Sequence, residues 1–507
     1  MIKLAGAAFL ALACAVQAFA QDMEHHLDHP APEKLGAVSF QTSCDPAVTK
    51  SFERAVALLH SFAYAISRKA FSDVADRDPR CAIALWGMAM THYHQLWEPA
   101  VDSESEMREG AAESARASDI AAGSPREHQF IGAIQQYYLD WGHSSPAVRA
   151  ARYAQAMAEV ARTNPKDDEA QIFYALSLIA TASAADKTHA NQKRAAAILE
   201  PMWRRQPQHP GLAHYLIHAF DSAELAPRGL AAARAYSKIA PSAPHALHMP
   251  SHIFTRLGLW SDSVASNQRA RAAAHAQGDI GEELHAMDYL TYAYLQLGDH
   301  DEAAKVVAAV RAMTDLPASQ FKVGYAASAM PVRLAIESRD WDAAAGLTPL
   351  PGSAPKVAAV IYWARALGHA RAKIPSSPDA DIADLKACLD QLRASGDDYW
   401  AAQTDALLKE AQAWQSAAKG ESDAAVLSLR AAADEEDAQE KLPVTPGPIV
   451  PAREQLGEIL LGLQRPQMAL KEFNAALVLA PGRRGAVVGA AEAGDQLGGT
   501  KAARPMH

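Results

Sequence analysis

Histidine is the residue type in this chain whose number and spacing most suggest chemistry. Of 507 residues, 20 are histidine. A dense group lies between positions 209 and 285: His209, His214, His218, His245, His248, His252, His275 and His285. His214, His218 and Asp221 read H-x-x-x-H-x-x-D, which sets all three on one face of a helix. His245, His248 and His252 read H-x-x-H-x-x-x-H, again one face. His285 and Asp288, followed by Tyr292, repeat the geometry a third time. Neutral imidazole and carboxylate suit Zn, Cu, Fe, Mn or Ni. Three or four such ligands complete a site, and an open position makes it catalytic. The set His214, His218, Asp221, His245, His248, His252, His285 and Asp288 exceeds the need of one ion. Two ions use them all, as does one ion with carboxylates behind it orienting the imidazoles. Asp221 and Asp288 fit either role. Zinc and copper lead, with iron and manganese compatible. The other use of such a cluster is a metal-free polar or catalytic groove, in which the rings repel one another when protonated.

The elements that must position these residues are helices. Apolar residues recur at helical spacing over 52–74, 82–96, 127–139, 147–160, 169–180, 192–203, 357–372, 381–394 and 399–418. Gly, Pro, Asp and Asn punctuate the stretches, and no segment reads convincingly as a strand. Residues 22–36 and the proline-rich 442–451 read as loops. Alanine is abundant and aromatics are 7%, which favours helix over an all-β sandwich.

The helices repeat. Leu456-Gly457, Leu460, Ala469, Phe473 and Pro481 form an L-G-x-x-Y…A-x-x-x-F…P skeleton with Leu460 in place of the Tyr. A second unit runs from Pro244 through Leu247, Ser251, Phe254, Gly258, Trp260 and Ala270. A third runs from Leu284 through Met287, Thr291, Tyr294, Gly298 and Ala303, and a fourth spans Pro210 to Pro241. Trp86-Gly87 after Asp78-Pro79 reads as one more start. On these residues the chain resembles the tetratricopeptide-repeat family, and more narrowly exported bacterial members with a His-rich groove. The resemblance implies an all-α fold: an α-solenoid of degenerate tetratricopeptide-like helix pairs, curved, with a concave groove. Its clearest repeats are 210–243, 244–277, 284–313 and 450–481, within an array spanning 44–481, and 482–507 is expected to supply a capping helix and tail. In this family the second, fifth, ninth and twelfth residues of each first helix face the groove. His214, His218 and Asp221 fall at the fifth, ninth and twelfth places counted from Pro210. His245, His248 and His252 fall at the second, fifth and ninth from Pro244, and His285, Asp288 and Tyr292 at the same places from Leu284. The register comes from residues other than the histidines, so three neighbouring helices are expected to aim them into one patch. Pro250, inside the second set, removes a helix N–H and is expected to kink the helix near His248.

Other candidates carry less pattern. His60, in Leu58-Leu59-His60-Ser61-Phe62, reads as a core histidine, and His92 and His94 as lining the groove entrance. His25, His26 and His29 lie in a lead segment, 21–43, expected to be flexible. Glu454 and Glu458 read as a solvated acidic face. Arg256 is placed to meet an anionic substrate group, and Asn267 flanks the patch.

Residues 1–20 carry Lys3, the apolar run 4–16 and Ala18-Phe19-Ala20, the form of a secretory signal peptide. The run is too short to span a bilayer. Export to the periplasm or medium is therefore expected, with a lipid anchor at Cys14 the weaker alternative. Cys44, Cys81 and Cys388 remain after cleavage. Cys44 and Cys81 bracket the first helical stretch and are either a disulfide pair or, with Cys388, three buried thiols. Hydrophobic residues are 49% and charged residues 21%, which excludes wholesale disorder. Lys+Arg is 48 against Asp+Glu 58, for a net charge of −10, and no basic block argues for nucleic acid. No Walker loop, G-x-S-x-G or H-E-x-x-H is present. Two function classes remain: a metalloprotein or metalloenzyme with its site in the groove, holding a small molecule there, and a scaffold holding a protein or peptide.

Overall fold

The computed structural model describes residues 33–96, 103–374 and 376–502. The signal-like segment 1–20, Cys14, His25, His26 and His29 lie outside the described residues. The chain divides at Lys34, and all the helices below belong to the body from Leu35 onward.

Every regular element among the described residues is a helix. In chain order, after a single 3-10 turn, these are α1 (Thr49–His60), α2 (Tyr64–Arg77), α3 (Ala82–Met90), α4 (Glu104–Asp119), α5 (Pro125–Tyr138), α6 (Pro146–Thr163), α7 (Asp168–Ala180), α8 (Ala190–Arg205), α9 (Pro210–Ala219), α10 (Ala226–Ile239), α11 (Pro244–His248), α12 (Pro250–Arg256), α13 (Trp260–Gln277), α14 (Ile280–Leu297), α15 (His300–Arg311), α16 (Phe321–Glu337), α17 (Trp341–Ala345), α18 (Pro355–Arg371), α19 (Asp379–Ser395), α20 (Asp398–Ala418), α21 (Ser422–Asp437), α22 (Ala452–Gly462), α23 (Pro466–Leu479) and α24 (Arg484–Ala502).

Local sequence sets these boundaries. Gly278, Gly298 and Gly396 end helices in the left-handed region, with φ of 69°, 79° and 71°. The aspartate that follows each one caps the next helix, its carboxylate accepting from Glu282, Glu302 and Trp400 N–H. Ser103 with Glu106 and Ser124 with Glu127 form capping boxes. Successive helices pack as hairpins, and the units expected from the repeat pattern appear as α9–α10, α11/α12–α13, α14–α15 and α22–α23. The array is an all-α repeat of antiparallel helix hairpins. The expected break at Pro250 is present and divides α11 from α12 at Met249.

The signature small residues mark where helices touch. A Cβ on Gly87 would lie 2.4 Å from the Phe71 ring, and one on Gly457 2.7 Å from the Phe473 ring. Both sites admit a large aromatic only because the facing helix offers bare backbone.

Four features depart from the open curved array. Residues 35–43, expected in a flexible lead, are anchored by two buried side chains, Leu35 and Phe40, the Phe40 ring centroid lying 5.2 Å from Phe52 and 5.5 Å from Phe130. Cys44 is disulfide-bonded to Cys81, tying this stretch to the start of α3. At one end of the array α1 returns to pack on α9; at the other α24 returns to α14, and Trp260 Nε1 donates to Gly482 O at 3.1 Å. The array thus closes at both ends. Finally, the expected loop 442–451 is part of a non-helical strap, 438–451, that fills the inner face. Val444, Thr445 and Ile449 are buried there, and Glu440 N–H reaches Ala184 O at 2.8 Å. The concave face is therefore lined by the chain's own strap.

Replacing Gly457 with Ala should destabilise the C-terminal hairpin. The new methyl must displace Phe473, and overpacking costs about 1–3 kcal/mol. An exposed Gly→Ala in a helix would instead gain up to about 1 kcal/mol. Chemical denaturation decides between these, and a stabilised variant would refute the close-packing account.

Candidate metal centre

Six of the eight residues expected in the patch converge. His214 and His218 come from α9, His245 and His248 from α11, His252 from α12 and His285 from α14. Proline at the start of α9 and α11 fixes where each helix begins, and the i, i+4 spacing of His214 and His218 and the i, i+3 spacing of His245 and His248 turn each pair inward. All six rings are buried, His214, His248 and His252 completely. They form two triads, His214–His218–His245 and His248–His252–His285, whose ring nitrogens lie within 4.8 Å of one another in each. The triads adjoin: the rings of His218 and His252 are 6.0 Å apart, and those of His245 and His248 6.2 Å.

The partners of the outer nitrogens settle where the protons sit. His214 Nδ1 is 2.6 Å from the backbone oxygen of His60. A carbonyl only accepts, so Nδ1 carries the proton and Nε2 of the neutral ring is a lone pair. His245 Nδ1 donates to Glu282 Oε2 at 3.2 Å, which in the neutral tautomer makes its Nε2 a lone pair as well. The two Nε2 atoms stand 3.1 Å apart. In the second triad His252 Nδ1 donates to Asp221 Oδ2 at 2.9 Å. His248 Nδ1 donates to Asn267 Oδ1 at 2.6 Å. The amide is oriented by its other end, because Asn267 Nδ2 donates to Ser263 O at 2.9 Å. His248 Nε2 and His252 Nε2 are then two lone pairs 3.0 Å apart. Between neutral rings of these tautomers no hydrogen bond joins either pair. A cation between them would: bonds of about 2.0–2.1 Å from a tetrahedral ion to imidazole place neighbouring nitrogens about 3.3 Å apart. His218 Nε2 completes the first triad at 3.1 Å from His214, and its Nδ1 has no hydrogen-bond partner.

A third cluster serves as a contrast. His60 Nε2 and His209 Nε2 each lie 3.0 Å from one oxygen of Glu169. Here an acceptor faces two N–H donors, and the group is a hydrogen-bonded bridge with no converging lone pairs. His60 Nδ1 meets Tyr215 hydroxyl at 2.9 Å, so the side chain is locked while its carbonyl orients His214. Gly211 permits this approach, since a Cβ there would fall 2.7 Å from His60 Nδ1. His60 is the core histidine expected of it.

The two aspartates part company. Asp221 stands behind His252, and the same carboxylate takes Lys441 Nζ and Arg256 Nε, both at 2.9 Å. Arg256, expected to meet an anionic ligand, is therefore engaged within the chain. Asp288 turns away to Arg333 Nε at 2.8 Å and meets none of the six imidazoles directly. Arg333 in turn donates to Gly447 O and Pro448 O of the strap, at 3.2 and 3.3 Å. Tyr289 hydroxyl, against the second triad, is 3.1 Å from Thr445 O and 3.3 Å from Pro443 O. Glu282 and Tyr289 went unrecognised in the sequence. A signal existed, since Glu282 lies one helical turn before His285. His92 accepts from Arg68 at 2.9 Å, and His94 stacks on Tyr64. Glu454 and Glu458 are bound by Arg483 and Arg371, not solvated as a free acidic face.

Burial governs the charge states. It pushes His214, His218, His248 and His285 well below the ordinary imidazole range, with neighbouring imidazoles adding to the effect. It brings His252 down to about 4 against the pull of Asp221. Burial alone would raise the Asp221 and Glu282 carboxyls. Lys441 with Arg256 outweighs it at Asp221, and Lys322 with His245 at Glu282, so both stay well below the usual carboxylate range. These five rings are thus neutral, and Asp221 and Glu282 anionic, at neutral pH, as ligation requires.

No protein-family model matches the chain, and no curated protein matches it. Among solved structures, the chain is similar to the anaphase-promoting-complex hetero-tetramer Cut9–Hcn1, at 12% identity over 96% of this chain and 82% of that one, with a TM-score of 0.36. It is similar to the TPR domain of P58(IPK), at 13% identity over 90% and 99%, with a TM-score of 0.21. It is also similar to Naa15/Naa10 bound to HypK-THB, at 11% identity over 84% and 67%, with a TM-score of 0.19.

Metal-free protein should lose stability as pH falls below about 6.5, the ordinary imidazole value. Unfolded chains take up protons there while the folded rings, with lowered values, do not. The unfolded state binds more protons, and folding stability drops with falling pH. Each of His214, His218, His248, His252 and His285 contributes up to about 1.4 kcal/mol per pH unit. Denaturation midpoints that stay flat between pH 7 and pH 5 would contradict these charge states.

Proposed function

We propose that this chain is an exported tetratricopeptide-like metalloprotein that holds two transition-metal ions, one in each three-histidine site. One observation carries the reading: two pairs of Nε2 lone pairs, His214 with His245 and His248 with His252, are held 3.1 and 3.0 Å apart by acceptors fixed on the opposite nitrogens. Left without a cation, each pair must separate or trap a proton in a buried place that disfavours charge. The arrangement also has the outer support typical of metal-binding histidines, with a carboxylate, amide oxygen or backbone carbonyl behind each of these rings.

The six histidines serve as ligands, and Asp221 acts from behind His252. Asp288 belongs to the strap's anchorage. Zinc and copper are the leading occupants on donor type, with iron and manganese less suited to an all-imidazole set. Export rests on the signal-like segment 1–20, and the Cys44–Cys81 disulfide supports an oxidising compartment. No helix among the described residues is long and apolar enough to cross a membrane. The peptide-scaffold reading needs a vacant inner face. Here the inward positions of three successive repeats are buried histidines, and the strap lies over them.

Elemental analysis of the purified, metal-loaded protein tests this. Two ions per chain are expected. His214→Ala and His248→Ala should each remove one, and the double variant both, with helical content by circular dichroism unchanged. His209→Ala, in the hydrogen-bonded bridge, should leave the content at two. Loading should raise the melting temperature of the wild type and not of the double variant, since a ligand of the folded state stabilises it by mass action. Metal content unaffected in the double variant would end the assignment.

A further inference from the structure

The geometry points to monovalent copper, Cu(I), as the ion these paired centres select. This rests on the metal reading above and adds a charge and a coordination argument to it.

The charge argument begins with the donor set. All six candidate ligands are imidazoles, which ligate in the uncharged form; neither triad includes a carboxylate or thiolate. The carboxylates behind them are already matched, Asp221 by Lys441 and Arg256, and Glu282 by Lys322 at 2.6 Å. Glu440, 3.7 Å from Arg256, is bound in turn by Lys187, so three anions face four cations and an arriving metal meets no net negative charge. The cost of burying an uncompensated ion rises with the square of its charge, so a divalent ion costs four times a monovalent one. Repulsion between two such ions in adjoining triads rises by the same factor.

The coordination argument concerns water. A three-histidine zinc site fills its fourth position with water. In this chain an aromatic ring lies against all three imidazoles of each triad. The Phe62 ring centroid is 4.5, 5.9 and 5.4 Å from those of His214, His218 and His245. That of Tyr289 is 4.8, 5.0 and 5.3 Å from those of His248, His252 and His285. Phe62 holds this place with a φ of 53°, a backbone region that a bulky aromatic rarely adopts and that only surrounding packing maintains. Tyr289 spends its hydroxyl on the strap carbonyls and offers the second triad the wall of its ring. Rings in these positions cover one side of each triad and crowd the place of the water that a three-histidine Zn(II) site takes as its fourth ligand, although His218 borders a cavity of about 130 Å³ on its other side. Cu(I) is a closed-shell ion content with three nitrogen donors.

The test is an anaerobic titration of the purified protein with Cu(I) against the chelator bicinchoninate, beside a titration with Zn(II) against a colorimetric zinc chelator. Cu(I) should fill both centres, and Zn(II) at most one at any concentration below the onset of non-specific binding. Phe62→Ala with Tyr289→Ala admits water. It should raise Zn(II) affinity at least tenfold and leave Cu(I) affinity within threefold. Tyr289→Phe keeps the ring and should behave as wild type, which guards against reading a folding defect as a change of preference. Zn(II) filling both wild-type centres, or wall removal shifting both metals alike, overturns the Cu(I) assignment while the metal reading stands. If neither ion binds, both fall.

Discussion

The carbonyl oxygen of His60 can only accept a hydrogen bond, and it takes one from His214 Nδ1 at 2.6 Å. That contact dictates the tautomer of His214 and turns a lone pair toward His245. Three further acceptors, Glu282, Asp221 and Asn267 Oδ1, impose the same choice on His245, His252 and His248. The inward surface of three repeats is thereby converted from a hydrogen-bonding surface into a nucleophilic one. A histidine cluster by itself has no such direction. The His60–Glu169–His209 bridge has as many imidazole nitrogens nearby, yet its central carboxylate takes their protons and nothing is left over for a cation.

The rest of the structure serves to keep those acceptors in place. The His60 carbonyl lies at the end of α1, far in sequence from α9, and it reaches His214 only because the array closes on itself. Gly211 leaves room for the approach, and Tyr215 with Glu169 holds the His60 side chain. At the other end the strap closes the site. Lys441 meets Asp221, Tyr289 meets the strap carbonyls, and Arg333 joins Asp288 to Gly447 and Pro448. Buried ion pairs of this sort contribute little net stability when compared with apolar packing, but breaking one partner leaves a charge stranded. They specify position, which is what the imidazole supports need.

Much of this was legible in the sequence, and the reasons divide cleanly by range. Helices, hairpins and the inward register of His214, His218, His245, His248, His252 and His285 follow from spacings of three and four residues, which one helix expresses locally. The Gly-Asp pairs at 278–279 and 298–299 fix ends by local backbone chemistry. Asp288 shared that inward register but is claimed by Arg333, a partner from a different helix pair. Closure of the array, burial of Phe40 and descent of the strap into the inner face depend on contacts across the whole chain, and no periodicity encodes them. The strap was readable as a proline-rich loop. Its destination was not, because prolines forbid helix without saying what the segment will touch. Phe62 carries no local cue either: nothing about Ser61-Phe62-Ala63 announces a left-handed aromatic.

A core built this way is a poor core by itself. Each imidazole turned inward occupies volume that an aliphatic side chain would fill with more apolar contact, and each must stay neutral to remain buried. The apolar clusters on either side, one drawn from Leu35 to Phe254 and another from Phe321 to Ala493, supply the packing that tolerates the polar layer between them. Lone pairs 3.0 Å apart add repulsion that apolar packing cannot relieve. An ion bound there, as proposed, would turn that repulsion into ligation, so that metal affinity and folding free energy would draw on the same contacts. The strap belongs to the same balance. It helps to bury the rings, which deepens their preference for neutrality and would strengthen a nitrogen–metal bond in a medium of low polarity. Shielding, neutral donors and matched carboxylates therefore act in one direction, towards an ion of low charge held without solvent.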